Sequence, residues 1–126
     1  MITIGKTGTA SRTVTEKLTA KYVGSGSLDV FATPMMIALM EAAACECIVS
    51  ELTDGSTSVG TQINVAHVAA SPLGADIIAT ATVTAVDGRK VSFNVTAHDG
   101  VCEIGNGTHE RFIVDIDKFM KKLEQR

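Results

Sequence analysis

The longest apolar run in the chain spans residues 35–49, and it predicts one buried helix over residues 34–51. Thr33 followed by Pro34 is typical of a helix start, with Thr33 as the N-cap, and Gly55 supplies the stop. Only Glu41 and Glu46 interrupt the run, and at 3.6 residues per turn they cannot share one face. We therefore expect a helix that is buried on most faces, with at least one carboxylate on the buried side.

From residue 58 onward the hydrophobic period changes to two, which predicts strands. The predicted strands cover residues 59–68, 76–86, 89–98 and 101–114, joined by turns at Asp87-Gly88 and Asp99-Gly100. Gly105 and Gly107 indicate a bulge or bend in the last of these strands. A short helix at residues 115–124 ends the chain. Before the long helix we expect a strand end at residues 12–14, a short helix at 16–22 and a flexible joint at 24–27.

This order predicts an α+β fold, in which a curved antiparallel sheet wraps around one long central helix. The 126 residues are expected to form a single domain, 1–126. One layer of four or five strands cannot surround the helix completely. We therefore expect a two-fold dimer, in which a partner subunit finishes the burial and covers the sheet edge.

Composition excludes several classes of function. The net charge of −3 and the absence of tryptophan argue against a nucleic-acid partner. No apolar run approaches the ~20 residues of a membrane span, and no signal segment is visible, so we expect a cytoplasmic protein without a membrane partner. The three cysteines are expected to be reduced thiols. No histidine, cysteine or carboxylate spacing supports a metal site, so no metal is expected.

Three polar residues stand out against apolar surroundings. Glu41 is a carboxylate in an apolar wall, which is costly unless it is paired, although it could also reach an interface or cap a strand. Thr33 needs no role beyond the N-cap, yet a helix start also presents N–H groups that can hold an oxyanion. His67 shares an apolar strand face with Ile63 and Val65, and a lone histidine there is more often a satisfied core residue.

Several short blocks together resemble the fluoroacetyl-CoA thioesterase family. They are residues 31–41 (FATPMMIALME), 58–61 (SVGT), 65–67 (VAH), 86–89 (VDGR), 97–101 (AHDGV) and 105–111 (GNGTHER). The likeness covers roughly residues 30–126, about three-quarters of the chain, and the order and spacing of the blocks make it fairly specific. It implies a hotdog fold, with active sites at the interface of a homodimer, or of dimers paired into a tetramer.

The resemblance also implies roles for individual residues. It makes Thr33, Glu41 and His67 catalytic, and it places the Gly60 N–H near the thioester carbonyl. Two further residues are expected to contact the substrate, Phe31 and Arg111. The implied activity is hydrolysis of a small or medium acyl-CoA, with coenzyme A as part of the substrate and no separate cofactor.

One stretch departs from the family pattern. The family's phenylalanine-rich lid corresponds to residues 21–29, which contain no phenylalanine, so we expect general acyl-CoA activity instead of fluoroacetyl selection. Two alternatives remain open on the same fold, a non-hydrolytic binding protein for acyl-CoA or another small hydrophobic ligand, and an acyl-thioester dehydratase or hydratase. A coenzyme A tail needs surface cations, for which the candidates are Arg89, Lys90, Arg111, Lys118 and Lys121.

Overall fold

The computed structural model describes all 126 residues, which form five strands and three α-helices. The strands are β1 (Thr7–Thr13), β2 (Ser56–His67), β3 (Asp76–Asp87), β4 (Lys90–His98) and β5 (Glu103–Asp115). The helices are α1 (Ala20–Val23), α2 (Thr33–Ile48) and α3 (Ile116–Glu124), with short 3-10 turns at Glu16–Leu18 and Val49–Glu51.

The strands form one antiparallel sheet in the order β1-β3-β4-β5-β2. The predicted α+β architecture, a curved sheet around a long central helix, is confirmed. The N-terminal strand is longer than expected, because β1 pairs with β3 over seven residues, from Thr7 opposite Thr82 to Thr13 opposite Asp76. At the other end of the sheet, the 12-residue strand β2 pairs only with β5, so its outer edge is free.

The core lies between α2 and the sheet. The buried residues of α2 recur every three or four positions and therefore lie along one side of the helix: Met36, Leu39, Met40, Ala43, Ala44, Cys47 and Ile48. They belong to one cluster with alternate residues of β3 and β4, among them Ile77, Ala79, Ala81, Val83, Val91, Phe93, Val95 and Ala97. The apolar positions of the period-two sequence pattern thus form the inward face of the sheet.

The expectation that α2 is buried on most faces is wrong for the single chain. The side opposite the sheet leaves Pro34, Ala38 and Ala42 exposed, and Glu41 is half-buried there. The expectation that no segment reaches spanning length also needs correction, since Thr33–Glu51 is long and apolar enough to cross a bilayer. Core helices of water-soluble proteins meet the same criterion, and one face of this helix is buried against the sheet.

The predicted N-cap role of Thr33 is also wrong. The helix begins one residue earlier than expected, so Ala32 is the N-cap and Thr33 is the first helical residue. No side chain caps this end, and the Ala32 carbonyl accepts the N–H groups of Met35 and Met36. The Thr33 hydroxyl is consequently free for another partner.

The irregularity predicted for β5 is confirmed beside Gly105, because the β4–β5 register shifts there and leaves Ile104 without a partner in β4. A second shift, between Gly60 and Gln62 of β2, leaves Thr61 without a partner in β5. Gly105 and Gly107 also permit close packing, because a Cβ at Gly105 would meet the Met36 side chain and a Cβ at Gly107 would overlap the β2 backbone.

We expect Gly107→Ala to lower the free energy of unfolding by about 1–3 kcal/mol, because its methyl group would force β2 away from β5. Urea denaturation measures the change. The matched control is Gly26→Ala at an exposed position, where the new Cβ meets only the side chain of Ala20 and the change should stay within about 0.5 kcal/mol. Equal stabilities for the two variants would contradict this account of Gly107.

Candidate active site

The free hydroxyl of Thr33 meets the imidazole of His67. Thr33 begins α2 and His67 ends β2, and Thr33 Oγ1 lies 2.7 Å from His67 Nδ1. Strand alternation turns the His67 side chain to the inward side of β2, together with Ile63 and Val65. The contact therefore joins the first residue of α2 to the last residue of β2, which are 34 positions apart in the sequence.

The second ring nitrogen of His67 has no partner. Its Nε2 atom is buried and makes no hydrogen bond within the chain. Burial lowers the pKa of His67 below its ordinary value, and the Ala69 backbone only partly opposes this effect. A neutral imidazole has one donor and one acceptor nitrogen, so the Thr33 contact leaves Nε2 as the atom available to a bound molecule.

Thr33 and His67 both open into a cavity of about 270 Å³. Its remaining lining is mostly apolar: Ala20, Ser25, Val30, Phe31, Val68, Ala69 and Ala70. Phe31 is 2% exposed and also lines a second, apolar cavity of about 260 Å³ beside β1 and α2. Phe31 therefore contributes to the walls of both cavities.

Glu41 belongs to a different cluster, which β5 holds in place. Its carboxylate accepts a hydrogen bond of 3.0 Å from Arg111 and lies 4.0 Å from His109 Nε2. Arg111 is 6% exposed and also donates to the hydroxyl and the carbonyl of Ser58. The guanidinium that the sequence analysis expected at the substrate is thus occupied by protein groups, and it holds Glu41 in one position.

His109 completes this cluster, and the sequence analysis did not select it. Its Nδ1 donates to the Gln62 carbonyl at 2.7 Å, so the neutral ring presents an acceptor Nε2, which lies 3.3 Å from Arg111. Burial lowers the pKa of His109, and the Arg111 charge acts in the same direction. The available signal was its alternation with Arg111 along β5, which places both side chains on the same, buried side.

Gly60 makes room for the Glu41 carboxylate. A Cβ at Gly60 would overlap Glu41 Oε2 and crowd the Arg111 guanidinium. The bulge that follows Gly60 opens a cavity of about 260 Å³, lined by Glu41, Gly60, Thr61, Gln62, Ile63 and His109. The structure thus places Gly60 beside Glu41, but not beside Thr33.

Within one chain the predicted residues form two groups. One cavity is lined by Thr33 and His67, and the other is lined by Glu41 and Gly60. The two cavities share no residue. Along α2, Thr33 and Glu41 are separated by about 12 Å, at 1.5 Å per residue. Both cavities include residues of β2, whose outer edge is free.

Residues 14–117 match the family described as fluoroacetyl-CoA-specific thioesterase. The chain belongs to this family. It is 46% identical over 98 residues to a fluoroacetyl-CoA thioesterase from Streptantibioticus cattleyicolor, an alignment that covers 78% of this chain and 70% of that protein. The family and the thioester-hydrolase class expected from the sequence are thereby confirmed.

Solved structures support the same assignment. The fluoroacetyl-CoA thioesterase FlK superposes with a TM-score of 0.94 at 37% identity, covering 100% of this chain and 98% of that chain. A hot-dog-like protein from Thermanaerovibrio acidaminovorans superposes with a TM-score of 0.89 at 26% identity, covering 98% and 91%. A thioesterase superfamily member from Thermus thermophilus, at 24% identity and a TM-score of 0.92 over 99% and 93%, shares the fold. The hotdog fold expected from the sequence is confirmed.

We expect the free energy of unfolding to fall as the pH drops from about 6.5 to 5. Burial lowers the folded pKa of His67 and His109 below the ordinary value of about 6.5, so the unfolded chain binds more protons in this range. The stabilisation is complete above pH ~6.5 and is lost on acidification. Urea denaturation at several pH values gives the free energy of unfolding as a function of pH. This free energy should fall less on acidification for His109→Gln, which removes one of the two groups. An equal fall in the variant and the unsubstituted protein would contradict this assignment.

Proposed function

We propose that this protein hydrolyses the thioester of a small or medium acyl-CoA. The proposed site combines Thr33 and His67 of one protomer with Glu41 of the partner subunit. The unpartnered Nε2 of His67, in a cavity beside the free edge of β2, carries the proposal most directly. A buried polar atom without a hydrogen bond is costly in a structural role, and a bound reactant would supply its partner.

Two incomplete surfaces support the proposed dimer. The outer edge of β2 offers unpaired backbone groups, and α2 exposes apolar residues opposite the sheet. If two copies pair antiparallel through β2 about a two-fold axis, the half of β2 that contains Gly60 runs beside the half that ends in His67 of the other copy. Such pairing brings each Glu41 cavity toward a Thr33–His67 pair.

The reaction needs a site for the negative charge that develops on the thioester oxygen. The Thr33 N–H at the start of α2 makes no hydrogen bond within the chain, and Pro34 has no N–H, so Thr33 is the donor available at this helix end. The backbone N–H of Gly60 is the second donor that we propose, since Gly60 lines the Glu41 cavity. His67 positions the Thr33 hydroxyl toward the same centre.

In the general-base route Glu41 removes a proton from water, and that water attacks the carbonyl carbon. In the covalent route the Glu41 carboxylate attacks the carbon itself, and water then hydrolyses the mixed anhydride. In both routes the C–S bond breaks, and coenzyme A leaves as a thiolate that takes up a proton. Single turnover in ¹⁸O-water tests for the covalent route, because label in the Glu41 carboxylate requires direct attack followed by hydrolysis at the glutamyl carbon.

The acyl group that we propose is small or medium in size. The cavity of about 270 Å³ beside Thr33 is lined largely by alanine and valine, which suits an unbranched apolar chain. Phe31 lines this cavity and also the apolar cavity of about 260 Å³. Phe31 is thus the residue that we propose limits acyl length.

We expect Thr33→Val to lower kcat/KM for acyl-CoA by about 10²–10⁴. The substitution removes the hydrogen bond to His67 without removing a helix cap, so the free energy of unfolding should change by no more than about 1.5 kcal/mol. Glu41→Gln should cause a comparable loss of activity and, because Arg111 loses its charged partner, a larger loss of stability.

The activity measurement is an acyl-CoA panel with a thiol-reactive dye, combined with absorbance for enoyl formation. Thiol release supports the thioesterase. Thermal stabilisation by acyl-CoA without thiol release would identify a binding protein, and enoyl absorbance changes would identify a dehydratase or hydratase. Unchanged hydrolysis by a folded Thr33→Val variant would contradict the role of Thr33.

Mixed dimers test whether the site is shared. A heterodimer of one Thr33→Val subunit and one Glu41→Gln subunit contains one intact site if Glu41 acts across the interface. It contains no intact site if Glu41 acts within its own chain. Random assembly of equal amounts should therefore restore about a quarter of the unsubstituted activity. The controls are the two variants alone, unfolded and refolded in the same way. No recovery, with heterodimers verified by mass spectrometry, would place Glu41 in the site of its own chain.

A further inference from the structure

The largest group of cations in the fold surrounds a groove at the end of the sheet. The groove encloses about 450 Å³ between α3 and the β3–β4 turn. Four of the eleven Lys and Arg residues line it, namely Arg89, Lys118, Lys121 and Lys122. Lys121 and Lys122 follow Lys118 by three and four positions, so all three lysines project from the same side of α3.

None of these four cations is neutralised by the fold. Their side chains make no salt bridge and donate no hydrogen bond within the chain. The one carboxylate in the lining, Asp115, accepts the Lys118 backbone N–H as the N-cap of α3. In a chain of net charge −3, four positive charges without a salt-bridge partner around one groove favour the binding of an anion.

The distance from the groove to Gly60, which lines the proposed reaction site, follows from the strand pairing. Ser56, the first residue of β2, pairs with Asp115, and Ile113 donates its N–H to the Arg89 carbonyl. Gly60 is four residues further along β2, about 13 Å away at 3.3–3.4 Å per residue. An extended pantetheine arm covers a distance of this order between the thiol and the phosphates of coenzyme A.

We propose that this groove binds the phosphate-bearing nucleotide end of the coenzyme A substrate, an inference that rests on the proposed thioesterase function. Arg89 and the α3 lysines would face the diphosphate and the 3′-phosphate, while the acyl thioester reaches the edge of β2. Two other cations named from the sequence already have partners, since Arg111 binds Glu41 and Lys90 lies 3.5 Å from Glu110. On this proposal, the cations that bind phosphate are distinct from Arg111, which holds the Glu41 carboxylate.

The test compares two substrates that share one acyl group, the acyl-CoA and the acyl-pantetheine thioester that lacks phosphates. We expect the Lys118→Gln/Lys121→Gln/Lys122→Gln variant to raise KM for acyl-CoA roughly tenfold, with kcat unchanged. Its kinetics with acyl-pantetheine should equal those of the unsubstituted protein. Added salt should raise KM for acyl-CoA in the unsubstituted protein and have less effect in the variant.

The control variant is Lys17→Gln, which removes an exposed lysine of the 3-10 turn before α1 and should leave both substrates unaffected. The groove proposal is overturned if the α3 variant leaves KM for acyl-CoA unchanged, if it affects both substrates equally, or if the control variant gives the same rise. Circular dichroism confirms that α3 remains folded.

Failure of the proposed function is a separate outcome. If the unsubstituted protein hydrolyses neither substrate, calorimetry with adenosine 3′,5′-bisphosphate tests the groove alone. Binding that is weakened roughly tenfold in the α3 variant would support a nucleotide site in a protein that is not a thioesterase. Absent binding, or equal affinity in both proteins, would overturn the groove proposal.

Discussion

The structure depends on the packing of one side of α2 against the inward face of the sheet. Met36, Met40 and Ile48 are each 0% exposed there, and small residues such as Ala43 let the helix approach the strands closely. This contact fixes which residues of α2 turn away from the sheet. The side that remains carries Thr33 and Glu41 together with exposed apolar residues such as Ala38 and Ala42.

Two histidines hold the polar groups of that face in position without adding charge. His67 meets the Thr33 hydroxyl, and His109 lies beside the Glu41–Arg111 pair. Burial lowers the pKa of both imidazoles, so they are neutral at pH 7. The Phe93 ring stacks on His109 with centroids 5.9 Å apart, which ties the polar cluster to the hydrophobic core. Rigid support of this kind is what an active site requires of its surroundings.

The surroundings of Glu41 provide both an opposite charge and the space for its carboxylate. Arg111 neutralises the carboxylate, and Gly60 leaves the space that the carboxylate occupies. The adjacent bulge interrupts the pairing of β2 with β5 at this point and opens a cavity beside the edge strand. The local irregularity and the Glu41–Arg111 cluster therefore coincide.

The sequence by itself determined the elements, since periods of 3.6 and two residues report directly on which side chains face a core, and α2, the β3–β4 and β4–β5 hairpins and α3 lie near their predicted positions. It also identified Thr33, Glu41 and His67 as polar residues in apolar surroundings. Only the tertiary structure decided their partners. Whether Thr33 caps its helix or meets His67, and whether Arg111 is free or bound to Glu41, depends on strands brought together from distant parts of the chain, and local patterns contain no information about such contacts.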